Sequence, residues 1–217
     1  MKVVICGGGV AGAAMAAALA NTDYSVLLLE KEGEEFLGRS SGGETLRAET
    51  CRSFDRLGVL DDILRHSHSI RKGDRRELHH VAKGVLGHFR YDAFAPEYPV
   101  VHTHHNYIVK GIHRYIERSG ASNVEARFGC EVVDVGEYRD GRREVVYKDR
   151  KSGELRSVEA DLVIGADGGN SVVRRSIGIQ ASETDLGISY LMFYVERLSG
   201  FEYGRFTVGP HGFIGIF

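Results

Sequence analysis

The sequence predicts an α/β fold, in which helices flank a parallel sheet, from three observations. Residues 2–30 have the pattern of a strand, a glycine-rich turn, a helix and a second strand. Residues 161–174 repeat the order of apolar strand, glycine turn and helix start. Short β-like segments, separated by the turn pairs Asp140-Gly141 and Ser152-Gly153, precede this second unit. We therefore expect a β-meander inserted between two strands of the parallel sheet.

The first motif is the turn between the first strand and an alanine-rich helix. Gly7, Gly9 and Gly12 match G-x-G-x-x-G, which in this strand–helix context predicts a dinucleotide-binding unit. The first glycine allows the tight turn, the second lets the backbone approach a pyrophosphate, and the third lets helix and strand pack closely. Val10 and Ala11 begin the helix, where free N–H groups favour phosphate.

An acidic residue ends the second strand. Glu30 follows Gly12 at close to the offset of about 20 residues that is expected for the acid that binds a ribose hydroxyl. Lys31 comes next and is a further candidate for cofactor contact. Strand, glycine turn, helix, strand and acid together are much more specific than the glycine triplet alone.

The composition excludes several classes of protein. The 217 residues are 42% hydrophobic and 27% charged, as expected for a globular protein of one domain, or one domain and part of another. A net charge of −2 does not favour nucleic-acid binding. Three widely spaced cysteines suit a reducing compartment, so a cytoplasmic location is expected. We expect no transmembrane segment and, at His102–His105, no metal site, because ligand spacing and a second cluster are missing.

Apolar periodicity predicts the structure between the two motifs. Residues 44–64 and residues 107–118 carry apolar residues at steps of three and four, which predicts helices. Asn106 is the expected N-cap of the second of these helices. Residues 31–43 form a polar, glycine-containing loop, long enough to favour a functional role. Residues 77–91 alternate as a β-hairpin does.

The second motif begins with an apolar run at residues 161–164, as in a buried parallel strand. Asp167 and Gly168 lie in the turn that follows, and Asn170 or Ser171 can cap the next helix. Parallel sheets bind ligands beyond the carboxyl ends of their strands. Asp167 and Gly168 are therefore candidate ligand contacts.

Residues 165–174, Gly-Ala-Asp-Gly-Gly-Asn-Ser-Val-Val-Arg, resemble the DG motif of flavin-dependent aromatic hydroxylases and their relatives. The unit at residues 7–30 resembles the first FAD motif of the same family, and the likeness extends over essentially the whole chain. The resemblance implies a Rossmann-like FAD/NAD(P)-binding domain with an inserted β-meander, plus part of a mainly antiparallel β substrate domain.

The resemblance also implies domain boundaries. The FAD-binding domain would be discontinuous, at residues 1–75 and 105–182, and the partial substrate domain would comprise residues 76–104 and 183–217. Family members carry a third motif, Gly-Asp, well after the DG motif, and nothing after Arg174 matches it. We therefore expect the chain to be the N-terminal part of a longer fold.

The activity implied by the resemblance is that of an FAD-dependent monooxygenase. NADPH or NADH would reduce the flavin, and O2 would hydroxylate a small organic substrate through a flavin hydroperoxide. Because the flavin carries the chemistry, no catalytic side chain is identified. Two alternatives stay open: a halogenase or isoprenoid-reductase branch, which residues 43–46 (Gly-Glu-Thr-Leu) also resemble, and a non-catalytic FAD-binding remnant. Nothing in the sequence predicts the oligomeric state.

Three further cofactor contacts follow from the resemblance. Arg39 lies where the family's loop approaches the flavin, and Arg47 either reaches the cofactor or lies on a solvated helix face. Many relatives carry an FAD-contacting arginine in the helix that corresponds to residues 107–118. The matching position here is Val109, so Lys110 beside it is the substitute candidate.

Overall fold

The computed structural model describes residues 1–38, 42–67, 69–71, 75–193, 196 and 204–216. The strands are β1 (Lys2–Cys6), β2 (Ser25–Leu29), β3 (Gly43–Leu46), β4 (Ser69–Arg71), β5 (Arg75–His80), β6 (Gly84–Arg90), β7 (Val100–His104), β8 (Val124–Arg127), β9 (Cys130–Val135), β10 (Arg143–Asp149), β11 (Leu155–Ala160), β12 (Leu162–Gly165), β13 (Gly204–Gly209) and β14 (Gly212–Ile216). The helices are α1 (Val10–Ala18), α2 (Ala48–Arg56), α3 (Leu60–Leu64), α4 (His105–Arg118) and α5 (Val172–Ser176), with a 3₁₀ helix at Glu34–Gly38. Within these ranges, none of the helices has the length and apolar character needed to cross a membrane.

A four-stranded parallel sheet, in the order β12-β1-β2-β8, forms the centre of the fold. Cys6 at the end of β1 lies opposite Leu29 of β2 and Gly165 of β12. The carboxyl ends of these three strands, each of which precedes a predicted site residue, therefore lie side by side. The predicted α/β fold with its parallel sheet is confirmed.

Both faces of this sheet are buried. Val3 and Ile5 of β1 pack among the helices, whereas Val4 and Cys6 pack against the antiparallel strands on the other face. Successive side chains of a strand point to opposite faces. A strand covered on both sides must therefore be apolar at every position, which is why β1 is a continuous apolar run.

The inserted meander is the antiparallel sheet β11-β10-β9. Asp140 and Gly141 have positive φ angles of 49° and 82°, as expected for the two-residue hairpin turn predicted there. β8, which precedes the meander in the chain, is not part of it, because β8 pairs with β2 as the fourth strand of the parallel sheet.

The predicted helical region at residues 44–64 is two helices, α2 and α3, but it begins with a strand, which corrects the prediction of helix from residue 44. β3 occupies Gly43–Leu46 and pairs antiparallel with β7, with Leu46 opposite Val101. Leu46 is buried in the helical core, so its apolar character fits either structure. Pairing with a strand more than 50 residues away decides between them, and periodicity alone cannot detect such pairing.

Two further expectations are wrong in detail. The N-cap of α4 is His104, and Asn106 instead donates its side-chain N–H to the Phe36 carbonyl, at 2.8 Å. β12 is parallel as predicted, but it is the edge strand of the sheet and Leu162 is 45% exposed. The run at residues 161–164 is therefore buried only in part.

A second β-rich region contains the sheet β14-β13-β5-β6, which includes the predicted hairpin as β5 and β6. Its pairs are antiparallel, except that β13 is parallel to β5. A smaller antiparallel sheet, β3-β7-β4, joins segments on either side of the predicted boundary at residue 75. The division into two domains at the predicted residues stays a prediction.

Candidate functional site

The two glycine motifs, more than 150 residues apart in the chain, meet at the carboxyl edge of the parallel sheet. The Ala166 N–H donates to the Cys6 carbonyl at 2.7 Å, and the Gly7 N–H donates to the Leu29 carbonyl at 2.8 Å. The turn after β1 is thereby bound to both neighbouring strands. This edge is where open parallel sheets bind ligands.

Gly7 makes the close approach of the motifs possible. Its φ of +102° is a conformation that residues with a Cβ rarely adopt. A Cβ on Gly7 would also lie 2.3 Å from the Ala166 carbonyl oxygen. Both the conformation and the space therefore require glycine at this position.

Gly12 is crowded by neighbouring backbone, whereas Gly9 faces open space. A Cβ on Gly12 would lie 1.9 Å from the Gly7 carbonyl oxygen, so α1 can pack on the turn only without a side chain there. Around Gly9 the space is open, with no atom within 4 Å of a Cβ position. Gly9 is also the N-cap of α1 and has no side chain to cap the first amides, those of Val10 and Ala11. Open space beside uncapped amides is the arrangement that a pyrophosphate requires.

Glu30 is buried at the end of β2, with 8% of its surface exposed. One carboxylate oxygen accepts the Gly8 N–H at 2.6 Å, and the other accepts the Glu32 N–H at 2.8 Å. A carboxylate has about four lone-pair positions, so acceptor capacity for a ribose hydroxyl is left. Glu30 therefore stabilises the glycine turn in addition to its predicted role toward a ribose.

Asp167 is bonded within its own turn. Its carboxylate accepts the N–H groups of Val172 and Val173 at 2.6 and 3.1 Å and the Ser171 hydroxyl. Ser171 caps α5 as predicted, since its hydroxyl accepts the Arg174 N–H at 3.0 Å. Asp167 is half-buried in this position, and Gly168 beside it is exposed. The carboxylate thus fixes the turn that lies against Gly7.

Replacing Asp167 with alanine is expected to lower the free energy of unfolding by about 1–2 kcal/mol, because the start of α5 loses its capping acceptor. Chemical denaturation followed by circular dichroism measures the change. The matched control is Asp185→Ala, which removes an exposed aspartate that accepts one backbone N–H, from Gly187. Equal losses in the two variants would contradict a specific role for Asp167.

Cys6, which lies between the two motifs, is not a nucleophile. Burial and, to a smaller extent, the Asp167 carboxylate raise the pKa of its thiol to about 12. The side chain is free and buried, so it remains a neutral thiol at pH 7. Its contribution is packing against the meander.

Among the described residues, no hydrogen bond or ion pair joins the other candidates Lys31, Arg47 and Lys110 to the glycine turns. Lys31 is exposed beside Glu30, and Arg39 lies outside the described residues. Arg47 precedes α2, where its side chain is half exposed, pairs with Glu49 at 3.1 Å and lies over the Tyr91 ring at 5.8 Å. Its predicted contact with the cofactor stays a prediction.

Lys110 belongs to a group of cations around His66. Burial, followed by the charges of Arg114, Lys110 and Arg65, lowers the pKa of His66. Val109, the position that matches the family's arginine, is buried in the helical core. The likeness to the family therefore does not extend to a cation at that position.

Two residues in the environment of the turn, Gly8 and His113, were not predicted from the sequence. The Gly8 N–H is the donor to Glu30, although Gly8 is a variable position of the motif. His113 of α4 is buried; burial lowers the pKa of its imidazole, and the backbone of Gly8 partly offsets this. The available signal was a titratable residue on the apolar face of a helix, one turn after Val109.

Two other features do not fit a cofactor site. A cleft of about 410 Å³ is lined by residues of β1, β2, β8 and β11, among them Lys2, Leu27, Arg127 and Val158. None of its lining residues belongs to the two glycine turns. In the part of the chain that the structure describes, no three His, Cys, Asp or Glu side chains are grouped as a metal site. His102 instead contacts Thr45 and Arg76.

Known proteins resemble this chain over most of its length. The family model described as FAD binding domain matches residues 1–205. The 3-hydroxybenzoate 6-hydroxylase of Klebsiella oxytoca is 33% identical over 186 residues, which cover 82% of this chain and 42% of that protein. The 6-hydroxy-3-succinoylpyridine 3-monooxygenase HspB of Pseudomonas putida is 27% identical over 209 residues, which cover 96% of this chain and 50% of that protein.

A solved structure shows the same fold. The p-nitrophenol 4-monooxygenase PnpA of Pseudomonas putida superposes with a TM-score of 0.67 at 23% identity, covering 81% of this chain and 43% of that one. The chain therefore spans half the length, or less, of these relatives.

Proposed function

This chain belongs to the FAD-binding domain family of flavin-dependent monooxygenases, and we propose on that basis that it is the FAD-binding portion of an NAD(P)H-dependent monooxygenase. The proposed substrate is a small organic molecule, hydroxylated with O2. Relatives named as hydroxylases of benzoate and pyridine rings support an aromatic substrate. A cytoplasmic location is part of the proposal and is supported by three free cysteines.

The observation that carries the proposal is the contact between the two motifs. Gly7 lies against Ala166 and Asp167, so both glycine turns border one edge of the parallel sheet. A dinucleotide-binding fold that has only the first glycine motif contains no counterpart of the acidic turn at Asp167. Its presence beside the first favours FAD binding of the hydroxylase type over binding of NAD alone.

The residues present fit the ADP end of FAD. The amides of Val10 and Ala11 would bind the pyrophosphate above Gly9, where a Cβ would fill the space. The carboxylate of Glu30 would accept a ribose hydroxyl. When bound, the flavin supplies the redox and oxygen chemistry. The described side chains contribute binding and orientation, because they fix the position of the adenosine and phosphates from which the ring extends.

Reconstitution of the purified chain with FAD tests the proposal. We expect one bound FAD, detected as visible absorbance that co-elutes with the protein in gel filtration. ADP should compete with it, whereas riboflavin, which lacks the ADP moiety, should bind weakly. Absence of bound FAD would overturn the proposed cofactor.

Addition of NADH or NADPH without oxygen tests the oxidoreductase assignment separately. Bleaching of the flavin absorbance is the expected result, and a preference between the two nucleotides identifies the reductant. Bound FAD that neither nucleotide reduces would instead favour the alternative of an FAD-binding chain without activity of its own.

A further inference from the structure

We propose that Lys110, Arg114 and His66 form a binding site for a phosphate monoester, on the surface of α4 beside the end of α3. The 2′-phosphate of NADPH and free inorganic phosphate share the chemistry that this site recognises. Only the first of these sources rests on the proposed function, because it would make the site a determinant of the preference for NADPH over NADH.

The three side chains are brought together along one face of α4. Arg114 donates a hydrogen bond to Nε2 of His66, which lies two residues beyond the end of α3. The His66 ring also lies beside that of Tyr107, with 6.2 Å between their centroids. Tyr107 and Arg114 are two helical turns apart on the same face. Lys110 lies between them, three residues after the first and four before the second, so it faces His66 as well.

This group of cations lacks a counter-charge. Among the described residues, neither Lys110 nor Arg114 forms an ion pair with a carboxylate. Asp62 of α3 is bonded instead by Arg118 at 2.7 Å and by Arg65 at 3.4 Å. Like charges four residues apart on a helix repel each other and destabilise it. An anion bound between Lys110 and Arg114 would remove this repulsion.

His66 adds a third hydrogen-bond donor to the two cations. Burial and the neighbouring positive charges lower the pKa of its imidazole, so the ring is neutral at pH 7. Because Nε2 accepts from Arg114, the single proton of the neutral ring is on Nδ1. That N–H has no acceptor in the part of the chain that the structure describes. The group therefore offers donors and positive charge, and no free acceptor.

These donors match a phosphate monoester. At neutral pH such a group carries nearly two negative charges and three acceptor oxygens. The guanidinium of Arg114 can bind two of the oxygens as a fork, and Lys110 supplies a point charge. A carboxylate has one charge and two oxygens, and it would leave the site only half neutralised. Arg114 is exposed and the other two side chains are half-buried, so a phosphate on a larger molecule has access.

Calorimetric titration of the purified chain tests the site. The probes are NADP⁺, NAD⁺ and inorganic phosphate, each in chloride buffer of the same ionic strength, so that general screening is constant. The variants are Lys110→Gln and Arg114→Gln. The matched control is Arg56→Gln, which removes an exposed arginine at the end of α2. Circular dichroism and the unfolding temperature report the fold of each variant.

We expect NADP⁺ to bind the wild type, each substitution in the site to weaken binding at least fivefold, and the control to leave it unchanged. Tighter binding of NADP⁺ than of both NAD⁺ and inorganic phosphate assigns the nicotinamide nucleotide as the source. Equal binding of NADP⁺ and inorganic phosphate supports the site with a different phosphate as its ligand. Absence of binding of both, or binding that Arg114→Gln leaves unchanged, overturns the inference.

Proton NMR of the histidine ring protons provides an independent readout. A bound dianion favours the imidazolium form, so saturating phosphate should raise the pKa of His66. His88, exposed on β6, is the internal control, and the His66→Gln variant assigns the signal. The charged groups around His66 are Arg65, Lys110, Arg114 and Asp62. An unchanged pKa of His66 overturns its place in the site. Because neither experiment uses flavin, failure of the chain to bind FAD refutes the proposed function and leaves the phosphate site intact.

Discussion

Replacement of Gly12 with alanine is expected to abolish FAD binding and to destabilise the protein. The added Cβ would lie 1.9 Å from the Gly7 carbonyl oxygen and 3.0 Å from its carbon. Both atoms belong to the Gly7 backbone, which is held to β2 by the hydrogen bond from the Gly7 N–H to the Leu29 carbonyl. Because the turn cannot yield, α1 must move away from the sheet. Overpacking in a buried site costs about 1–3 kcal/mol or more, and here it also displaces the amides that would bind the pyrophosphate.

Two matched glycine substitutions separate folding from binding. Gly9→Ala meets no atom of the protein within 4 Å, so it should leave the unfolding temperature unchanged and weaken FAD binding by occupying the ligand's space. Gly87→Ala on β6 likewise meets no atom and should change neither quantity. Differential scanning fluorimetry and FAD titration measure both effects. A Gly9→Ala variant that binds FAD as tightly as the wild type would contradict the placement of the pyrophosphate.

Removal of the Glu30 carboxylate is expected to have the second large effect, a loss of both FAD affinity and stability. In Glu30→Ala the Gly8 and Glu32 N–H groups lose their acceptors, and the Gly8 donor is buried. An unsatisfied buried donor costs about 1–3 kcal/mol, and the predicted ribose bond is lost as well. We therefore expect an FAD affinity roughly 100-fold lower, together with reduced stability. Glu34→Gln, an exposed substitution on the adjacent 3₁₀ helix, is the control and should have no effect.

The two roles of Glu30 can be distinguished with an FAD analogue that lacks the 2′-hydroxyl of the adenosine ribose. If the carboxylate accepts that hydroxyl, the analogue binds the wild type more weakly than FAD does, and the difference disappears in Glu30→Ala, which has no acceptor at this position. If Glu30 only supports the turn, the substitution weakens binding of both ligands equally. The second result would refute the ribose role and leave the supporting role intact.

Much of the site was predictable from the sequence because it is local. A strand, turn, helix and strand that form one βαβ unit have little freedom in their spacing, so Gly7, Gly12 and Glu30 could be assigned from their offsets. The cap at Ser171 was predictable for the same reason, since a capping side chain bonds to an amide three residues away. The domain boundaries and the cofactor contacts of Arg39, Arg47 and Lys110 stay predictions.

The errors arose where distant pairing determines the local structure. Residues 44–46 of β3 were predicted as helix, because the single apolar side chain there, Leu46, fits either structure and only pairing with β7 makes the segment a strand. Asn106 was predicted as a cap, but the packing of the 3₁₀ helix on α4 brings the Phe36 carbonyl within reach of its amide. In both cases the partner lies more than 50 residues away, beyond the range of any local pattern.

The sequence by itself determined the fold class, the glycine turn and its acid, because these depend on backbone geometry within about 30 residues. Only the tertiary structure decided which distant groups come into contact. Ala166 lies against Gly7 because β12 pairs with β1 in register, and Asn106 reaches the Phe36 carbonyl because the 3₁₀ helix packs on α4. Strand register and helix packing are set by the whole core, so no spacing in the chain encodes these contacts.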